Sequence, residues 1–200
     1  HLDWGSLGEA GMRTWVLIDV SYLCHRVWHT LPKLSWKGKP TETIYGFLQT
    51  VQTLRMTLSN DLVFCFDHSH SFRKEIFPDY KRKRHSKELS PEEVRGLHQL
   101  HIQIKELGLR HLPAAGFSNI FRFYGLESDD ILAVIAMTLA AKQEDEAVIV
   151  SADSDLYQCL APNVSIYHPQ TKVYKARNWF KKTYGIPPRK WALVKALGGC

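Results

Sequence analysis

The chain has 200 residues, 44% of them hydrophobic and 12% aromatic, with a formal charge of +6. That content excludes a disordered chain and suits one packed domain. The dispersed cysteines Cys24, Cys65, Cys159 and Cys200 exclude a zinc-ribbon or disulfide framework and fit a reducing, intracellular compartment. No apolar run approaches the roughly 18 residues of a membrane span, so no membrane partner is expected.

Trp15-Val16-Leu17-Ile18 is short and apolar, which predicts a buried parallel strand ending at Asp19. Tyr22 to Thr30 predicts a helix, closed by Pro32 and a polar turn through Gly38-Lys39-Pro40. Ile44, Phe47, Leu48, Val51, Leu54 and Leu58 recur at helical spacing, with Thr41 or Thr43 as the cap. Leu62 to Phe66 is a second apolar strand, again followed by an acid, Asp67. Ser90-Pro91-Glu92-Glu93 opens a helix with an N-cap serine and a glutamate at N3, expected to stop at Gly108. Residues 117–123 are a possible strand, Glu127 to Ala141 a helix, and Ala147 to Val150 a third buried strand with Asp153 beyond its end. Val164 to His168 and Lys172 to Lys175 predict short strands around a Pro169-Gln170 turn. Asn178 to Tyr184 and Pro188 to Leu197 predict helices. Residues 12–200 read as one domain and 1–11 as an extension ahead of Met12.

Strands alternating with helices imply an α/β fold, a mostly parallel twisted sheet with helices on both faces. Ligands of such sheets bind outside the carboxyl ends of the strands, where this chain places an acid after each of three strands. Charge is also segregated. Arg73, Lys74, Lys81, Arg82, Lys83, Arg84 and Lys87 face only Glu75 and Asp79, whereas Glu127 to Asp155 is strongly acidic with Lys142 its sole base.

Asp19, Asp67, Glu127, Asp129, Asp130, Asp153 and Asp155 are therefore candidate metal ligands. Glu127 and Asp130 share one face at a helix start, and Asp153 and Asp155 flank Ser154 in a turn. Converging carboxylates either take up protons or hold a cation. Oxygen donors without organised cysteine or histidine favour Mg²⁺ or Mn²⁺. A pair of such ions suits phosphodiester hydrolysis. The alternative for each acid alone is a helix cap or a turn residue.

The blocks Leu17-Ile18-Asp19-Val20-Ser21, Phe66-Asp67, Ser71-Phe72-Arg73-Lys74-Glu75, Tyr80-Lys81-Arg82-Lys83-Arg84, Gly125-Leu126-Glu127-Ser128-Asp129-Asp130 and Ser151-Ala152-Asp153-Ser154-Asp155-Leu156-Tyr157-Gln158 resemble the 5′-nuclease, or flap endonuclease, family. That family includes the 5′-nuclease domain of bacterial DNA polymerase I and phage exonucleases. The resemblance implies a PIN-like fold and structure-selective cleavage of DNA at 5′ ends or flaps. It implies that the seven acids are metal ligands or their supports, with two ions in the complete enzyme. Lys81 and Arg84 would act at the scissile phosphate, Tyr80 would stack on a terminal base, and Arg73, Arg82 and Lys83 would bind DNA. It also implies a cytoplasmic, nucleoid-associated protein, and leaves open a fused polymerase domain.

The family continues after its Gly-Gly position with further acids and a helix–hairpin–helix, whereas Cys200 stands where the first of those acids is expected. A thiolate is a poor magnesium ligand. This stretch alone is therefore expected to bind one metal better than two and to cleave weakly or not at all. Two other readings remain open: a PIN-like ribonuclease, against which the basic insertion at 68–95 argues, and a non-catalytic DNA-binding remnant, against which the acids argue. The histidines are read as surface or hydrogen-bonding residues, and Trp28, Trp36, Trp179 and Trp191 as packing residues.

Overall fold

The computed structural model describes residues 12–80 and 89–198. Its centre is a six-stranded sheet ordered β5-β4-β1-β6-β7-β8. These strands are β1 (Thr14–Asp19), β4 (Asp61–Cys65), β5 (Ile120–Phe121), β6 (Glu146–Val150), β7 (Val164–His168) and β8 (Val173–Lys175). All pair in parallel except β8, which returns antiparallel to β7 through the expected turn. A separate two-stranded hairpin joins β2 (Ser35–Trp36) to β3 (Lys39–Pro40).

The strand sequences alternate sides, and both sides are apolar. Val16, Ile18, Leu62 and Phe64 point to one core, against α1 (Val20–Thr30), α2 (Glu42–Thr57) and α4 (Pro91–Glu106). Leu17, Val63, Cys65 and Ile149 point to the other, against α6 (Ser128–Lys142), α7 (Arg177–Tyr184) and the buried Trp191 that opens α8 (Trp191–Gly198). A period of two with apolar residues on both faces is what a sheet covered twice requires. Phe64 is fully buried, and truncating a ring so placed costs about 3–5 kcal/mol. Cys24, Cys65 and Cys159 are buried free thiols. No helix among the described residues is long and apolar enough to cross a membrane.

Several elements depart from expectation. Helix α1 begins at Val20, because Asp19 ends the strand and also caps the helix by accepting from the Tyr22 N–H at 3.1 Å. The helix expected to stop at Gly108 runs on through a π-helical turn, Leu107–His111, into α5 (Leu112–Ala114). A Cβ at position 108 would lie 3.1 Å from the Phe66 ring, so this glycine serves close packing rather than termination. The strand expected within 117–123 is reduced to Ile120–Phe121, and a short helix, α3 (Phe72–Ile76), forms in the basic stretch. Trp36 is 66% exposed on its hairpin with Lys37 Nζ 4.4 Å above its ring, so it is not a packing residue, whereas Trp28, Trp179 and Trp191 do pack.

Candidate functional site

The register makes the three central strands end level. Asp19 pairs with Cys65 and Ile18 with Val150, so Asp19, Asp67 and Asp153 leave the sheet at one edge. Asp19 is only 8% exposed. Its carboxylate accepts from the Tyr22 N–H, from Ser128 Oγ at 3.1 Å and from Ser151 Oγ at 3.3 Å. Burial raises its pKa to about 6, and repulsion from Asp67 adds to that, against those hydrogen bonds.

Two serines join the acids across the edge. Ser128 donates its hydroxyl to Asp19 and its backbone N–H to Asp67 at 2.6 Å. That N–H belongs to the first turn of α6, where no intrahelical partner exists, so the Asp67 carboxylate satisfies it. Ser151 donates to Asp19 and accepts from the Asp153 N–H at 3.2 Å, and Asp153 in turn accepts from the Asp155 N–H at 2.8 Å.

The remaining acids gather around a side chain. Arg73 donates through Nη1 to Glu127 and, at 3.4 Å, to Asp129, and through Nη2 to Asp130. Tyr80 donates its hydroxyl to Glu127 at 3.0 Å and accepts from Arg73 at 3.0 Å. Asp130 also accepts from the Glu127 N–H at 3.0 Å, which fixes both at the start of α6. Asp129 has a raised pKa: partial burial dominates, Arg73 pulls it back, and repulsion from Asp130 and Glu127 adds to the rise. Asp155 is paired with Lys195 of α8 at 3.1 Å.

The seven acids thus divide. Asp19, Asp67 and Asp153 are linked through serines, Glu127, Asp129 and Asp130 surround a guanidinium, and Asp155 turns to Lys195. Among the described residues no three Asp, Glu, His or Cys side chains form a ready metal cage, and Arg73 sits among Glu127, Asp129 and Asp130. The donor set nonetheless fits a hard divalent cation. It consists of carboxylate oxygens, one triad is already arranged around a positive charge, and the buried Asp19 faces Asp67 with its charge unneutralised.

Arg73, expected on DNA, is held by the acids, and Tyr80 is tied into the same ion cluster. Lys81, Arg82, Lys83 and Arg84 lie outside the described residues, as do residues 1–11 and Cys200. His98 and His101 are exposed, as expected. Ser128, Ser151 and Lys195 were not singled out from sequence. The serines carry a signal in being interleaved with the acids, whereas Lys195 carries none.

The family described as 5′-3′ exonuclease, N-terminal resolvase-like domain, matches residues 14–185. Thermostable DNA polymerase I of Thermus aquaticus is 31% identical over 187 residues, which are 92% of this chain and 21% of the polymerase. A 5′-3′ exonuclease of Aquifex aeolicus is 32% identical over 191 residues, 94% of this chain and 62% of that protein. The chain therefore spans about a fifth of the polymerases it matches. Among solved structures, the T5 5′-exonuclease with bound zinc ions superimposes with a TM-score of 0.73 at 23% identity, over 92% of this chain and 66% of that one. The bacteriophage T5 flap endonuclease, in a pseudo-enzyme-product complex with DNA and metal ions, gives 0.75 at 20%, over 94% and 67%. At these identities the likeness is one of fold, and the PIN-like, mostly parallel sheet expected from the sequence is the fold found.

Proposed function

The chain belongs to the 5′-3′ exonuclease family through its N-terminal, resolvase-like domain, and on that premise we propose that it hydrolyses DNA phosphodiester bonds at 5′ ends or flaps with divalent metal. The observation that carries this reading is the buried Asp19 carboxylate, facing Asp67 at the carboxyl edge of the sheet with hydroxyl donors and, among the described residues, no ion-pair partner. A pair of carboxylates so placed serves fold stability poorly and cation binding well.

Mg²⁺ or Mn²⁺, one ion or two, when bound supplies positive charge to the attacking and leaving oxygens of the phosphodiester. Asp19, Asp67, Glu127, Asp129, Asp130, Asp153 and Asp155 hold it, directly or by supporting those that do. Ser128 and Ser151 orient Asp19. Arg73, displaced from its triad, turns to the DNA phosphates. Lys81 and Arg84 meet the scissile phosphate, and Arg82 and Lys83 the flanking ones. The relatives that include a polymerase make a fused polymerase a reasonable neighbour of this domain.

The test is cleavage of 5′-labelled flap DNA with and without Mg²⁺ or Mn²⁺. Cleavage that depends on the cation and is lost in Asp19→Asn supports the reading. Equal cleavage in EDTA, or preferential cleavage of single-stranded RNA, overturns it. The pairing of Arg73 with three of the acids favours a second reading, a DNA binder without metal chemistry. It predicts no divalent-ion heat in calorimetry and no change in Asp153→Asn.

A further inference from the structure

Beside the acids lies an exposed aromatic cluster that the nuclease reading does not use. Tyr124 is 63% exposed, and its ring stacks on His70 at 5.0 Å and 19° from parallel. Phe72 meets Tyr124 edge-on at 5.5 Å, and the His68 ring lies 5.0 Å away, tilted by 59°. Aromatic rings of this size usually contribute to a core. These are held at the surface instead.

The cluster is built rather than incidental. His70 is oriented by a 2.7 Å contact from Nε2 to Glu75. The Phe72 N–H donates to Gly125 O at 3.0 Å and the His68 N–H to Leu126 O at 3.1 Å, which ties the loop after β4 to the loop before α6. Gly125 has φ +77, and a Cβ there would lie 2.2 Å from the Phe72 ring. A glycine is thus needed both for the turn and for Phe72 to lie against it. The same two loops carry the ion cluster, since Phe72 precedes Arg73 and Tyr124 stands three residues before Glu127.

We infer that the Tyr124 face, backed by His70 and Phe72, is a stacking platform for one unpaired base of the DNA strand being cut. This rests on the reading of the adjacent acids as a phosphodiester-cleaving centre. The occupant follows from the chemistry of the place. A flat π-face next to a site for phosphates matches a polymer that alternates phosphates with planar bases, and stacking tolerates any base. Tyr80, whose hydroxyl is engaged by Glu127 and Arg73, is a less suitable platform than Tyr124. Tyr124 is accordingly a positioning residue, which holds the strand in register with the acids.

The test uses flap DNA in EDTA with 2-aminopurine placed in turn at each unpaired position. One position should be quenched by the wild-type protein, and Tyr124→Ala should relieve that quenching. The variant should bind about tenfold more weakly, the size of stacking one base on one ring. Tyr124→Trp should restore both, and an abasic site at the quenched position should remove the difference between wild type and Tyr124→Ala. No quenched position, or quenching and affinity unchanged in Tyr124→Ala, overturns the platform even if the wild type cleaves DNA with Mg²⁺. Conversely, cleavage by the wild type that is equal in EDTA counts against the nuclease reading, while binding and quenching still decide the platform.

Discussion

Ser128 Oγ lies 3.1 Å from Asp19 Oδ1, although 109 positions separate the two residues in the chain. The contact exists because β1 ends where α6 begins, and it places a hydroxyl donor on a buried anion. Hydrogen bonds to charged groups contribute about 1.5–3 kcal/mol, so Ser128→Ala should lose about 2 kcal/mol at pH 8. The backbone N–H that serves Asp67 remains in the variant. Urea unfolding should show a smaller loss at pH 4.5, where Asp19 carries a proton. Equal losses at the two pH values would mean that the hydroxyl does not stabilise the charged form.

Asp19 itself makes stability depend on pH. Its pKa is about 6 in the folded chain against an ordinary 3.8. Between those values the folded state holds the proton more tightly than the unfolded one. The advantage is full below pH 4 and is lost as pH rises through 6. Two units correspond to about 3 kcal/mol as an upper bound. In EDTA, the stability of the wild type minus that of Asp19→Asn should fall by up to this amount between pH 4 and pH 7.5. Saturating Mg²⁺ should reverse the fall. A difference that does not vary with pH would show that the carboxylate is not desolvated.

On the proposed reading, Arg73 and a divalent cation would compete for Glu127, Asp129 and Asp130. The guanidinium is 37% exposed, so the pairing is discounted to about 1 kcal/mol. Arg73→Gln should therefore bind Mg²⁺ or Mn²⁺ about fivefold more tightly by calorimetry, while binding flap DNA more weakly. Weaker metal binding in the variant would mean that Arg73 organises the triad for the ion instead of competing with it.

Gly125 combines a positive φ with direct contact on Phe72. Gly125→Ala should lose about 2–3 kcal/mol by thermal or urea unfolding, from strain in the turn and displacement of the ring. Gly116, which has a comparable φ of +87 and nothing within 4 Å of a built Cβ, provides the control. Gly116→Ala should lose about 1 kcal/mol, from backbone strain alone.

Most of the fold was legible because its signals are local. Apolar runs such as Leu62 to Phe66 and Ala147 to Val150 cannot face water on either side, so they predict a sheet covered twice. Ser90 and Glu93 form the capping box that their spacing predicts. Gly108 misled, because a glycine at a helix end and a glycine under a packed ring look alike in sequence, and only Phe66, arriving from β4, distinguishes them.

By itself the sequence determined which residues are acids, that three of them follow buried strands, and that a parallel sheet would bring those strand ends to one edge. Tertiary structure alone decided how the charges are shared: Ser128 and Ser151 on Asp19, Arg73 within the Glu127 triad, Lys195 on Asp155. The physical reason is range. Periodicity and capping act over a few residues, whereas a carboxylate's partner is whichever donor or cation the folded chain brings within about 3 Å, from any distance along it.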